Sequence, residues 1–297
     1  MYTYEQKCVM NLADTYTLMY GFIGKRLVDR LGVAGERALR QGSRLYGYDR
    51  AEKSRARHIE VGAKINMLNL FTLYHDLPAD PRFRRELQEI NPYERVSHTL
   101  VCPMAEIWKE YGQKEIGRIY CEEFHPACYS HYAFDYGQVN LSRTLTQDDD
   151  TYCDFNVALR PEDLPDELKG VCFAEYDPAY VQPEFPALHV DGKTGFASLT
   201  IKLFYYLLKC ADEQLGEKGV AAVREGLAEF ADATAALFRK RAAGNGLALD
   251  AKYVRDNLPL ALDTDEDAAF WEGYGDHGAK ELMQEAFCSR LKAALGL

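Results

Sequence analysis

Apolar residues at Val9, Leu12, Tyr16, Met19, Ile23 and Leu27 recur every three or four positions, the spacing of one face of an α-helix. The chain is therefore predicted to open on a long amphipathic helix that stops near Gly32. Pro103 after Cys102 reads as a first-turn proline, and Ile107, Tyr111, Ile116, Ile119 and Tyr120 continue at helical spacing, carrying Cys121 to the far end of that helix. Over residues 139–159 the period drops to two. Val139, Leu141 and Leu145 alternate with Asn140, Ser142, Thr144 and Thr146, and after the turn 147–151 Cys153, Phe155, Val157 and Leu159 alternate with Asp154 and Asn156. This is the signature of a β-hairpin with one buried face.

Five of the eleven prolines fall between Pro161 and Pro186, a stretch predicted to be too broken for regular structure and to act as a linker or lid. Helical spacing restarts at Leu199, Leu203, Tyr206 and Cys210. Residues 31–62 align without gaps on residues 215–246 at an offset of 184, with ten identities that include Gly35/Gly219, Arg40/Arg224, Gly42/Gly226, Arg55/Arg239 and Arg57/Arg241. The two tryptophans follow in one pattern, at 108–112 and 271–275, and Cys288 trails the second much as Cys121 trails the first. The pattern reads as a helical unit present twice. The predicted fold is α+β and predominantly helical, with a duplicated helical unit and an antiparallel hairpin or small sheet in the first copy only. The expected divisions are 1–160, a proline-rich linker or lid at 161–195, and a truncated helical repeat at 196–297. Function should concentrate in what was not repeated, residues 121–159.

Composition narrows the setting. The formal charge is −11 and no Lys/Arg cluster stands out, so no nucleic acid partner is expected. No run of about 18 apolar residues predicts a membrane span. The start lacks the basic and apolar regions of a signal peptide, and the eight cysteines are scattered, so reduced thiols in a cytoplasmic protein are expected. There is no glycine-rich phosphate loop, no Gly-x-Ser-x-Gly elbow and no His-Glu-x-x-His run.

The segment 120–132 packs Cys121, His125, Cys128 and His131 into eleven positions. On an unbroken helix Cys121, His125 and Cys128 share a face, and with His131 they would suit zinc; Pro126 argues against such a face. The other chemistry is nucleophilic. A thiol with an ordinary pKa near 8.5 is mostly protonated at neutral pH and needs a nearby positive group, for which His125, His131 and Arg143 are at hand. The plainer reading makes Cys121 and Cys128 small buried hydrophobes. Cys153 falls on the apolar face of its strand, Asp154 points the opposite way, and Asp148, Asp149 and Asp150 read as turn residues. Arg143 lies on the inward register between Leu141 and Leu145, where it needs an anion, either a buried protein carboxylate or a substrate carboxylate. His58, His75, His98, His189 and His277 have no companions in sequence; His189 is a weak lid candidate.

Cys102-Pro103, Trp108 to Gly112, Tyr120-Cys121-Glu122, Arg143-Thr144-Leu145-Thr146 and Asp150 ahead of Cys153-Asp154-Phe155 together resemble the L-2-amino-thiazoline-4-carboxylic acid hydrolase family, over roughly residues 20 to 160. The resemblance implies a hydrolase that adds water at the amidine-like carbon of a small ring and opens it toward an N-carbamoyl amino acid. Carried over, Cys153, Asp154, Arg143, Thr144 and Cys121 match motif positions. The chain departs where a glycine usually precedes the turn aspartate, since Asp149 stands there. The expectation is thus a cysteine-centred hydrolase of a thiazoline, hydantoin or related cyclic amidine or amide. Catalysis would fall to Cys153, Cys121, His125, His131 and Asp154, and substrate binding to Arg143, Thr144 and Glu122. No cofactor is expected, zinc on Cys121, His125, Cys128 and His131 being the alternative. The expected partner is a carboxylate-bearing small molecule, self-association is left open, and a non-catalytic small-molecule-binding module is the rival reading.

Overall fold

The protein was analysed as a computed structural model describing residues 2–73, 76–147, 150–186 and 190–297; His75, Asp148, Asp149 and His189 lie outside them. Helical backbone begins at Tyr4, where Thr3 and Gln6 close a reciprocal capping box, and helix α1 runs Tyr4–Glu60. At Gly32, as its sequence position predicts, the backbone leaves helical geometry (φ 56°, ψ −134°), a conformation open to glycine and closed to residues with a Cβ. The chain reverses there. The Tyr16 hydroxyl meets that of Tyr46 at 3.0 Å and the Tyr20 hydroxyl meets Ser43 Oγ at 3.1 Å, whereas thirty residues of straight helix would span about 45 Å. Segments 4–31 and 33–60 are therefore the arms of an αα-hairpin.

A second hairpin is built from α6 (Gly192–Leu215) and α7 (Glu217–Gly244), which meet at Gly216 with φ 57° and ψ −143°. The two hairpins interlock at two glycines. A Cβ on Gly42 would stand 2.9 Å from the Tyr206 carbonyl oxygen, and one on Gly226 would stand 2.7 Å from Ile23 Cα and 2.9 Å from the Phe22 carbonyl oxygen. Backbones approach that closely only where both sides lack a side chain in the way. Arg26–Glu229 and Arg30–Glu225 pairs decorate the rim and, being solvated, add little. Inside, Tyr16 also bonds Tyr120 at 2.9 Å, beside a buried Arg50 that Asp76 holds through Nε at 2.7 Å. Asp14, fully buried, accepts from Arg82 at 2.7 and 2.9 Å and from Arg241. Arg82 is also bound to Asp80, so this network ties the bundle to the start of the sheet.

Helix α3 (Pro103–Glu110) packs on the 4–31 arm, where Trp108 Nε1 donates to the Thr17 carbonyl at 3.0 Å, and helix α4 (Lys114–Tyr132) covers the 33–60 arm, where Arg40 donates to Glu123 at 2.7 Å. Sequence spacing joined them into one helix; Gly112, at φ 64°, separates them. Helix α4 runs unbroken through Pro126, contrary to expectation. The lost proline hydrogen bond is outweighed by packing, since Phe124 lies on Tyr46 at 5.5 Å and a Cβ on Gly47 would fall 2.9 Å from that of Ala127 and 3.1 Å from the Phe124 carbonyl.

The sheet has four antiparallel strands, β1 (Arg84–Ile90), β2 (Glu94–Val101), β3 (Gln138–Arg143) and β4 (Cys153–Ala158), in the order β1-β2-β4-β3. The β3-β4 hairpin is the predicted one. The β1-β2 hairpin escaped notice because all of β1 but Ile90 is exposed, so no alternation marks it. The face carrying Ser97, Thr99, Phe155 and Val157 is buried and turns toward α4, where Tyr129 meets Phe155 at 5.4 Å. The stretch expected to lack regular structure holds helix α5 (Asp166–Cys172), with Cys172 and Phe173 fully buried. The C-terminal part adds α8 (Ala251–Asn257), α9 (Ala268–Trp271), α10 (Ala279–Met283), a π-helical turn Gln284–Cys288 and α11 (Ser289–Leu295). The fold is predominantly helical α+β, and among the described residues strands occur only between residues 84 and 158. No helix among them is long and apolar enough to cross a membrane.

The interlock makes a direct prediction. Gly226→Ala and Gly42→Ala should each destabilise the fold by about 1–3 kcal/mol in chemical denaturation. Gly244→Ala, where a Cβ meets nothing within 4 Å, should be neutral.

Candidate active site

The inner face of the sheet, one face of α4 and the start of α3 bring three half-buried thiols together. Cys153 comes from β4, where the backbone N–H of Leu145 donates to its Sγ at 3.3 Å. Cys121, on α4, is hydrogen-bonded by the Thr146 hydroxyl, which in turn meets Thr144 Oγ1 at 2.9 Å. Cys102 sits at the cap of α3 with the backbone N–H groups of Met104 and Ala105 turned to its sulfur. The thiols are close enough that ionising Cys102 or Cys153 opposes ionising Cys121. Burial dominates, pushing Cys153 up to about 11, Cys121 well above the usual thiol range and Cys102 upward. The expectation that an imidazole lowers a thiol pKa here is thereby corrected: burial keeps the thiols protonated.

One turn along α4 from Cys121, His125 stacks on Tyr129 at 5.8 Å and meets the edges of Phe124 and Phe155 at 5.3 Å. Burial, with the charges of Arg50 and Arg85, pulls its pKa down to about 3, so the ring is neutral at physiological pH. Among the described residues its Nδ1 and the buried Ser97 hydroxyl have no hydrogen-bond partner. Two cations overlook this space. Arg85 pairs in register with Thr99, which pairs with Cys153, and its charge acts on Cys102, Cys153, His125 and Tyr129. Arg95 lies over Phe71 at 4.4 Å and Phe155 at 5.7 Å.

The other predicted residues lie elsewhere. Arg143 is exposed over the Tyr152 ring rather than inward. A register shift between Asn140 and Arg143 reverses the alternation and pairs Arg143 with Asp154 on the outer face. Asp154 faces out, as its strand position predicts, bonded by Ser142 Oγ at 3.0 Å with His98 Nε2 at 3.8 Å; it does not face the thiols. His131, ten residues or about 15 Å along the helix from Cys121, is held by Asp135 at 2.8 Å and Glu52 at 3.2 Å. Glu122 points to Arg40 at 2.8 Å on the 33–60 arm. Thr144 is buried at the site, its N–H bound to Asp150 at 3.0 Å. Cys128 is buried, its thiol pushed up to about 12 by burial. Of the zinc alternative, His131 thus lies apart from the other three, and among the described residues no group of three or more His, Cys, Asp or Glu is placed to hold a metal ion.

Sequence reasoning missed Cys102, Thr146, Arg85 and Arg95 as site residues. Cys102-Pro103 and Thr146 stood in recognised motifs without a role; the arginines lie in a hairpin that no periodicity marked. Compared with known proteins, residues 15–157 match the model of a family described as L-2-amino-thiazoline-4-carboxylic acid hydrolase. No curated protein and no solved structure matches the chain.

His125 carries a stability signature. Its folded pKa of about 3 lies below the unfolded value of 6.5, so between them the unfolded state binds the extra proton. The stabilisation is complete above about pH 6.5 and is lost as pH falls toward 3. Denaturation at pH 7 and pH 4.5 should show a loss about 2–3 kcal/mol larger for the native protein than for His125→Leu.

Proposed function

We propose, from the match of residues 15–157 to the L-2-amino-thiazoline-4-carboxylic acid hydrolase family, that the protein is a hydrolase that opens a thiazoline-type ring at a cysteine-centred site. The observation that carries this reading is the convergence of three half-buried thiols, one of them receiving a backbone N–H, inside the matched segment.

We assign Cys153 as the nucleophile. The Leu145 N–H and the Arg85 charge both stabilise its thiolate, and its pKa is raised less far than that of Cys121. Because the resting thiol is protonated, its proton passes to the ring nitrogen of the substrate, an amidine base far stronger than His125 in this setting. Sulfur then adds to the amidine carbon. The ring C–S bond breaks, the ring sulfur leaves as a thiol, and the carbon stays bound to Cys153 as an isothiourea. Water adds to that carbon, with neutral His125 accepting and returning its proton, and the enzyme thiol is expelled to leave an N-carbamoyl amino acid. The net change is one water added. Cys121, Thr146 and Thr144 line the site and Cys102 closes it. The steps call for no cofactor, and unpaired thiols suit a reducing cytoplasm.

We also read the second half as a copy of the helical unit that lacks this chemistry. At the 184-residue offset Gly32 and Gly216 share backbone angles, and Gly42 on Tyr206-Leu207 mirrors Gly226 on Phe22-Ile23. With the first partner at the offset of 184 and the second at an offset of 163, the Tyr46–Phe124 contact is echoed by Phe230–Phe287, Arg40–Glu122 by Arg224–Glu285, and Arg55 on the His131 carbonyl by Arg239 on that of Ala294. The second offset sets Gln284 against Cys121 and Cys288 against His125. Gln284 bonds the backbone of Thr264 and Leu262, so a chain segment occupies that place. The correspondence sequence spacing suggested, Cys288 with Cys121, shifts by one turn.

The reading is tested with 2-aminothiazoline-4-carboxylate and a panel of hydantoins and cyclic amides, scoring ring-opened product by mass. Cys153→Ser should lose turnover by roughly 10³-fold or more, and Cys121→Ser by far less. Full turnover in both variants refutes covalent cysteine catalysis; binding without any turnover in the native protein leaves the binding-module reading.

A further inference from the structure

Inward-facing arginines in this protein come with carboxylates. Arg50 has Asp76, Arg82 has Asp14 and Asp80, and Arg241 has Asp14. Arg95, half-buried over aromatic rings, breaks the rule, and Arg85, exposed at the sheet edge over the Phe83 ring at 4.3 Å, shares its lack of a partner: among the described residues neither has a carboxylate within ion-pair distance, although the chain carries a surplus of eleven negative charges. The two arginines repel one another and cannot relieve the repulsion by losing a proton. Burying a guanidinium with only aromatic faces beneath it costs stability, and such a cost persists where function recovers it.

We propose that Arg85 and Arg95 are the anion-recognition pair of this site, holding the carboxylate of a small cyclic substrate while its ring lies toward Cys153. The assignment rests on the reading of Cys153 as the place where the ring is opened, and it transfers to this pair the role that sequence register gave to Arg143.

Geometry supports it. Arg85, Thr99 and Cys153 are register partners on three adjacent strands, so their Cα atoms lie in a row about 10 Å long. Arg95 stands on the same face, in register with buried Val157, and lies over Phe155, the side chain next to Cys153 on that face. The buried Ser97 hydroxyl on the same sheet face and His125 Nδ1 on the covering helix have no hydrogen-bond partner among the described residues, which leaves a donor and an acceptor for the polar atoms of a ring. Arg85 itself is exposed, at the sheet edge where a ligand enters. The required ligand class is therefore a small ring bearing a planar anion, and a neutral ring of the same shape is excluded by two unpaired charges.

The test is calorimetric binding of 2-aminothiazoline-4-carboxylate and of its decarboxylated analogue 2-aminothiazoline, with melting temperatures recorded for each protein. The native protein should bind the acid roughly 100-fold more tightly than the neutral ring. Arg85→Met and Arg95→Met should each weaken the acid roughly 10- to 100-fold and leave the neutral ring unchanged, Arg85→Lys should keep part of the affinity, and Arg143→Gln should match the native protein. Without ligand, Arg95→Met should melt at the same or a higher temperature, where a structural arginine would melt lower. The proposal is overturned if the native protein binds neither compound or binds both alike, if the variants keep the acid or lose both ligands equally, or if Arg95→Met melts lower. The two readings fail separately. The predicted binding pattern without turnover leaves the anion pair standing and removes the hydrolase, while turnover without preference for the carboxylate does the reverse.

Discussion

Two backbone crossings without intervening side chains, at Gly42 and Gly226, set the geometry on which everything else is built. They fix how the two αα-hairpins lie together and leave one side of the 33–60 arm free. Helix α4 fills that side with Phe124 and Ala127 against Tyr46 and Gly47, a contact tight enough to keep it helical through Pro126. Its opposite side then meets the sheet, which is how Cys121 and His125 come to face Cys153. The Asp14–Arg82–Asp80 network completes the frame, anchoring the chain two residues before β1 and so the strand that carries Arg85.

The site this frame creates is half-buried, aromatic and short of negative charge. Desolvation keeps three thiols protonated and His125 neutral, so the site stores no thiolate–imidazolium pair. Chemistry of the proposed kind begins only when a ligand supplies a base and an anion together. An amidine ring with a carboxylate supplies both, which links the resting protonation state to substrate choice.

Local pattern was enough wherever one side chain after another answers to a single neighbour. Helical spacing from Val9 to Leu27, the stop at Gly32, the cap at Pro103 and the alternation from Cys153 to Leu159 all state their structure within a few residues, and the motif residues located Cys153, Cys121 and Thr144. Arg143 shows where this ends. Its inward register follows from counting by two, and one irregularity in β3 reverses it, because a bulge is a property of the pairing and not of the strand. Cys102 had no visible role because its partners lie on other elements, far along the chain.

The sequence by itself thus determined the helical class, the helical spacing repeated in the second half, the β3-β4 hairpin and the reactive residue types, since each depends on period, turn chemistry or identity within a short window. Only the tertiary structure decided that three cysteines from α3, α4 and β4 share one space, that His131 and Glu122 leave it, and that an unpatterned, exposed strand contributes its cation. Those outcomes depend on which elements pack together and on how far packing removes charge from water, and neither quantity is written in any local stretch of chain.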